Sequence, residues 1–297
     1  MRNVLKSLSF VTLAWNLLTI LVGAAVRATG SGAGCGSHWP LCNGEVLPSI
    51  QASKTFIEFS HRLTSGVALL LVLILFILTL KQCPRPHLAR RYASLALLFI
   101  LTEAALGAGL VLFELVAEND SVARAIVIVL HLMNTLLLLV GLVGHYLSLN
   151  PLHRVASSPR AKYLMLLITV LSVFFLIGSS GAITALGDTL FPSTSLLEGM
   201  REDLSTSAHF LIRLRAIHPF VAVAFGIGVL MLPLWAPLTK QVQRVLIAFV
   251  LMQWGVGAIN LVLLAPVSLQ LLHLLVADLF WLYLVALTLD DRFWRKV

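Results

Sequence analysis

The chain has 297 residues, 59% of them hydrophobic and 11% charged, with a mean hydropathy of +0.96. A soluble domain cannot bury that much apolar surface, so lipid is the main solvent. The formal net charge of +8 would suit nucleic acid, but the basic residues gather in alternate loops between apolar runs, which makes the charge topological and argues against that partner.

Eight apolar runs reach roughly the 20 residues that a helix needs to cross a hydrocarbon core of about 30 Å. They are predicted as spans at roughly 9–28, 58–80, 91–113, 122–148, 161–184, 208–233, 241–264 and 267–289. A porin-like barrel would show alternating segments of about 10 residues, and Leu69 to Leu80 does not alternate. The first run leads into a Gly-rich loop without a small-residue cleavage site, so it reads as a retained helix and not a signal peptide.

The first long loop, 29–57, contains Gly30, Gly32, Gly34, Gly36, Trp39-Pro40, Asn43-Gly44 and Pro48, together with Cys35 and Cys42. A structural disulfide is the preferred reading of that cysteine pair, with a redox-active dithiol as the alternative. A second long loop, 185–207, holds Phe191-Pro192 and an acidic stretch but no cysteine. Loops of this length usually carry function or cap a site. Fourteen of the 21 basic residues fall on the side of the termini, including Arg2, Lys81, Arg90, Arg154, Arg295 and Lys296. The positive-inside rule then makes that side cytoplasmic, in a multi-pass protein of the cell (inner or plasma) membrane.

The two halves align with each other. A shift of 157 residues lays Gly23–Gly30 over Ser180–Gly187 and His61 over His218. A shift of 150 lays Leu106-Gly107-Ala108 over Val256-Gly257-Ala258, and one of 142 lays His131-Leu132 over His273-Leu274. Each copy has four spans, an even number, so the copies share one orientation. The predicted fold is an all-α integral membrane protein whose eight transmembrane helices form two parallel-oriented four-helix repeats. Residues 1–148 form the first bundle and 163–297 the second, joined by a basic cytoplasmic linker at 149–162 that contains Asn150-Pro151 and Ser158-Pro159.

Of nine histidines, His38, His87, His145, His153 and His209 fall in loops or near span ends and read as surface or interfacial residues. His61, His131, His218 and His273 lie within the second, fourth, sixth and eighth spans, about 3, 9, 10 and 6 residues from the outer ends, in one layer. A single membrane histidine is most simply an interhelical hydrogen bond; four at matching depth, paired by a repeat, point to ligands. Two facing imidazoles can hold haem iron from both sides, which pairs His61 with His131 and His218 with His273. Copper or zinc is the alternative, but no membrane cysteine and few carboxylates accompany the histidines. Haem also brings anionic propionates, for which Arg27, Arg62, Arg213 and Arg215 stand on the outer side, with snorkelling to the interface as the competing reading.

Glu58 precedes His61 by three residues and shares its helical face; by the 157-residue shift its counterpart is Arg215. A carboxyl beside one haem can move protons, whereas an arginine beside the other only holds it. A first-turn carboxylate favoured by the helix dipole is the plainer account of Glu58. Glu103 and Asp278 are further intramembrane carboxyls whose partners the sequence does not reveal.

Arg27-Ala28-Thr29-Gly30-Ser31-Gly32, Cys35, Trp39-Pro40-Leu41-Cys42-Asn43-Gly44, Glu58-Phe59-Ser60-His61-Arg62, His131, His218-Pro219 and His273 together resemble the haem A synthase family across nearly the whole chain. The resemblance implies oxidation of the C8 methyl of haem O to a formyl group by successive hydroxylations, for cytochrome oxidase assembly. It implies a permanent haem b on His218 and His273, a haem O substrate site on His61 and His131, and a catalytic Glu58. It also implies a haem O-supplying enzyme and an electron donor as partners, and it matches Cys35 and Cys42 to the cysteine pair of the bacterial branch. Two features depart from the family: the loop 185–207 lacks a second cysteine pair, and Glu103 stands where glutamine is more usual. The competing function is an electron-transfer cytochrome with two bis-histidine haems fed by quinol. A homo-oligomer is left open.

Overall fold

The computed structural model describes residues 2–49, 52–149 and 159–294. Most of the predicted linker lies outside the described residues, with His153 and Arg154, as do Arg295 and Lys296. The elements in chain order are α1 (Arg2–Ala28), α2 (Ser53–Gln82), α3 (Leu88–Leu112), α4 (Val122–Ser148), α5 (Pro159–Lys162), α6 (Leu164–Leu190), α7 (Leu196–Asp203), α8 (Phe210–Arg215), α9 (Ile217–Trp235), α10 (Lys240–Val262) and α11 (Val267–Leu289). Eight helical spans are long and apolar enough to cross a membrane, α8 and α9 together making the sixth. The chain is an all-α membrane protein, and among the described residues no strand forms.

Apolar side chains that would be misplaced on a soluble protein, such as Phe10, Leu70, Phe220 and Leu251, cover the outside of the helices, because lipid is as apolar as they are. In the first half α1 packs on α2, α2 on α3, α3 on α4, and α4 returns to α1. The second half repeats this order, with α6 against α8 and α9, α9 against α10, α10 against α11, and α11 back to α6. The α3–α4 contact is closest: a Cβ on Gly144 would stand 2.4 Å from Tyr92 Cδ1 and one on Gly141 2.8 Å from Ala96 N. Only small residues permit such an approach.

The halves meet along α1, α4, α6 and α11. Leu136, Leu139 and Val143 of α4, Phe174 of α6, and Phe280, Trp281 and Leu284 of α11 form one buried cluster across this seam. Trp281 Nε1 donates to Leu136 O at 2.9 Å, so even the one polar atom of that indole is spent on joining the halves.

Candidate functional site

α2 begins at Ser53, five residues before the predicted start, because its first turn is the polar Ser53-Lys54-Thr55, which hydropathy alone reads as loop. Counted from Ser53, Val122, Phe210 and Val267, the four histidines lie 8, 9, 8 and 6 residues into their spans. The correction to His61 tightens the predicted layer.

Each imidazole faces a glycine on a neighbouring helix. A Cβ would stand 2.7 Å from His61 Cε1 at Gly23, 3.0 Å from His218 Cε1 at Gly181, 3.0 Å from His273 Cε1 at Gly257 and 3.8 Å from His131 Cε1 at Gly107. The rings of His218 and His273 have centroids 6.4 Å apart and stand nearly perpendicular, at 88°. His61 and His131 are close enough to interact electrostatically. Nδ1 of His61, His131 and His273 is buried without a hydrogen-bond partner. In the second half Ser180 Oγ lies 3.0 Å from His218 Nδ1, and Gln253 Nε2 3.1 Å from His273 Nε2.

Geometry pairs Gly23 with Gly181, one residue off the 157-residue shift that aligns His61 with His218. The sixth span is interrupted at Ala216, and Pro219 explains the break. Proline has no N–H to give the carbonyl four residues back, and Arg215 O accepts from Thr184 Oγ1 at 3.4 Å.

Glu58 is buried, and its Oε2 accepts the Cys35 N–H at 2.8 Å. Its Oε1 pairs with Arg62, which also donates to the carbonyls of His38 and Leu41. Thr55 Oγ1 donates to Gly34 O at 2.8 Å, and Gly34 lies so close to Lys54 O that a Cβ there would be 2.4 Å away. The first loop is thus stitched onto the helix that carries His61. Cys35 and Cys42 within it lie at disulfide-bonding distance, with Cα atoms 4.4 Å apart.

Arg215 has the same task with opposite charge. Its guanidinium donates to Asp203 at 2.6 Å, Ser193 Oγ at 3.0 Å and Phe191 O at 3.1 Å, with Asp188 at 3.5 Å. It thereby clamps the loop containing α7 over the second half. Arg27 crosses the seam, donating to Ala185 O at 2.5 Å, Thr189 Oγ1 at 3.0 Å and Gln270 Oε1 at 3.0 Å. Three of the four arginines offered for propionates are therefore engaged with the protein itself, while the fourth, Arg213, is exposed.

Residues 6–285 match the COX15-CtaA family, described as cytochrome oxidase assembly protein. The chain belongs to this family. Over 219 residues, 73% of the chain, it is 50% identical to a protein named Protoheme IX farnesyltransferase from Thermus thermophilus. Over 113 residues, 38% of the chain, it is 43% identical to proteins named Heme A synthase from Bacillus cereus and Bacillus anthracis. In each case the chain spans 36% of the relative's length.

Within this family member one residue sits differently from its sequence reading, and another gains the partners that the sequence did not reveal. His145 is not interfacial: it is fully buried, with Ser9 Oγ 2.8 Å from Nδ1 and Thr79 Oγ1 2.8 Å from Nε2, and so ties α1, α2 and α4 together. Glu103 has partners on α4, Asn134, Thr135 and His131. The 150-residue shift held a signal for it, since Glu103 aligns with Gln253 and both touch the histidine of the fourth span in their half. Asp278 is buried, and its Oδ2 has no hydrogen-bond partner.

Proposed function

We propose that this protein is a haem A synthase, oxidising the C8 methyl of haem O to a formyl group for cytochrome oxidase assembly. One observation carries the reading. Two histidine pairs related by the internal repeat stand in unlike chemical surroundings: Glu103 lies against His131 where its counterpart Gln253 lies against His273, and Glu58, one turn before His61, has Arg215 as its counterpart. A duplicated electron-transfer protein has no need for that difference; an enzyme with one substrate haem and one resident haem does.

The residues fit haem. His218 and His273 have ring centroids 6.4 Å apart, near enough for both imidazoles to serve one haem iron. The glycines that face all four rings leave room beside each imidazole for a bulky ligand. His218 and His273 would hold haem b, which supplies one-electron chemistry when bound. His61 and His131 would hold the haem O substrate.

In the reaction Glu58, three residues before His61 on α2, would move a proton beside the first pair. Arg62 holds its carboxyl, and the first loop shields it from water. Arg27, Arg62 and Arg215 would each exchange a protein acceptor for a propionate. The similarity to a protein named for farnesylating protohaem IX supports a farnesylated haem as the substrate, supplied by the enzyme that makes haem O. Taking a methyl to a formyl group removes four electrons, so the reaction also takes an oxidant of the dioxygen class, with the electron donor as a separate partner. The termini lie on the cytoplasmic side of the cell membrane, where the basic loops gather.

Co-expression with a haem O supplier tests the reading. Haem A is expected in extracted pigment, and its loss in Glu58→Gln and in His61→Ala. Unaltered haem O beside a normal reduced-minus-oxidised spectrum would instead establish the dihaem cytochrome.

A further inference from the structure

Glu103 lies one turn before Gly107, the residue that leaves room for the His131 ring. Its carboxyl is held from three directions. Asn134 Nδ2 reaches Oε2 at 2.5 Å, Thr135 Oγ1 donates to Oε1, and His131 Nδ1 lies 3.4 Å from Oε1. Asn134 is itself anchored, with Nδ2 also donating to Phe99 O at 2.8 Å and Oδ1 accepting from Thr102 Oγ1 at 2.6 Å. The carboxyl is therefore oriented by a polar chain that ends at the imidazole. His131 Nδ1 is buried and has no hydrogen bond in the present ring orientation, so Glu103 is the acceptor within its reach.

The second half keeps the imidazole and drops the chain. By the shifts that align Gly107 with Gly257 and His131 with His273, Thr102 becomes Met252, Glu103 becomes Gln253, Asn134 becomes Val276 and Thr135 becomes Ala277. If this network served only to join two adjacent helices, both halves would profit from it, and only the first has it.

We infer that Glu103 is a positioning residue for His131, accepting the Nδ1–H so that the Nε2 lone pair faces the substrate iron and the imidazole becomes a stronger electron donor than His273. A carboxylate behind a ligating imidazole sets the tautomer and raises ligand basicity. Stronger donation stabilises the oxidised iron, which lowers the reduction potential of a haem in the first site relative to one at His273, whose Nδ1 has no carboxylate behind it. The inference rests on the reading that His61 and His131 hold the haem substrate.

Redox titration of the full chain, purified in detergent and loaded with haem b as the probe, tests it. The first-site component is the one lost in His61→Ala. Glu103→Gln is expected to retain both haems and to shift the first-site midpoint upward, with the second-site midpoint unmoved. Glu103→Asp should bring the midpoint back toward the starting value, and Thr135→Val should shift it upward by a smaller step. A first-site midpoint indifferent to Glu103→Gln overturns the inference and leaves the proposed function standing. If Glu103→Gln loses both haems, an unmoved midpoint in Thr135→Val overturns it instead. If the unaltered protein takes up no haem that His61→Ala removes, the proposed function falls and the inference with it.

Discussion

The glycines that face the histidines give the sharpest test at the scale of single residues. Gly257 and Gly255 lie two positions apart on α10. A Cβ on the first would stand 3.0 Å from His273 Cε1, and one on the second would meet nothing within 4 Å. Gly→Ala in a helix ordinarily stabilises by about 0.5–1 kcal/mol, and Gly255→Ala should do so. Under the proposed function iron would pin the His273 ring, so Gly257→Ala must push against it, an overpacking that costs about 1–3 kcal/mol. That corresponds to roughly 5- to 150-fold weaker retention of haem b, to be read as pigment per chain after dilution, and equal retention in the two variants would refute the pairing. The layer of four histidines was legible in the sequence, because the internal repeat pairs them at matching depth. The partners of Glu103 were not, since they lie on a neighbouring helix and depend on how α3 and α4 rotate against each other. His145 was misread for the same reason, as distance from a helix end says nothing about which face is buried.

At the scale of elements, the two halves solve one problem with opposite charges. A loop must be held over the helix that carries the first histidine of each pair. Glu58 does this by accepting from the backbone of Cys35, and Arg215 by donating to the acidic loop around α7. The sequence showed the exchange of charge but suggested a division between catalysis and haem binding; the loop contacts explain much of it. Arg215→Leu should leave the carboxyl of Asp203 without its cation and that of Asp188 with Arg27 alone. Breaking a buried pair from one side costs about 3–5 kcal/mol, while the exposed Glu202 adds little. A lower thermal transition in detergent and faster proteolysis between residues 191 and 209 are expected, with neither change in Arg213→Leu, whose side chain is exposed on the same helix. α7 and the break at Ala216 escaped the sequence reading. The first is short and polar, and the second depends on a single proline inside an apolar run.

For the molecule as a whole, the internal alignment indicated two like-oriented halves but not which helices join them. In lipid both the buried and the exposed faces of a helix are apolar, so hydrophobic periodicity carries little information about packing. The seam instead depends on shape and on a few polar ties, Trp281 to Leu136 O and Arg27 to Ala185 O, Thr189 and Gln270. None of these ties needs the covalent link between the halves. Segments 1–149 and 159–297, encoded separately and co-expressed, should therefore copurify through a tag on either one. Trp281→Ala removes a buried ring and its hydrogen bond to Leu136 O, a loss of about 3–5 kcal/mol, and should reduce recovery of the untagged half more than Arg27→Gln, which keeps part of its hydrogen bonding. Failure of the unaltered halves to copurify, with each recovered folded on its own, would mean that the link and not the seam holds the two sites at their working separation.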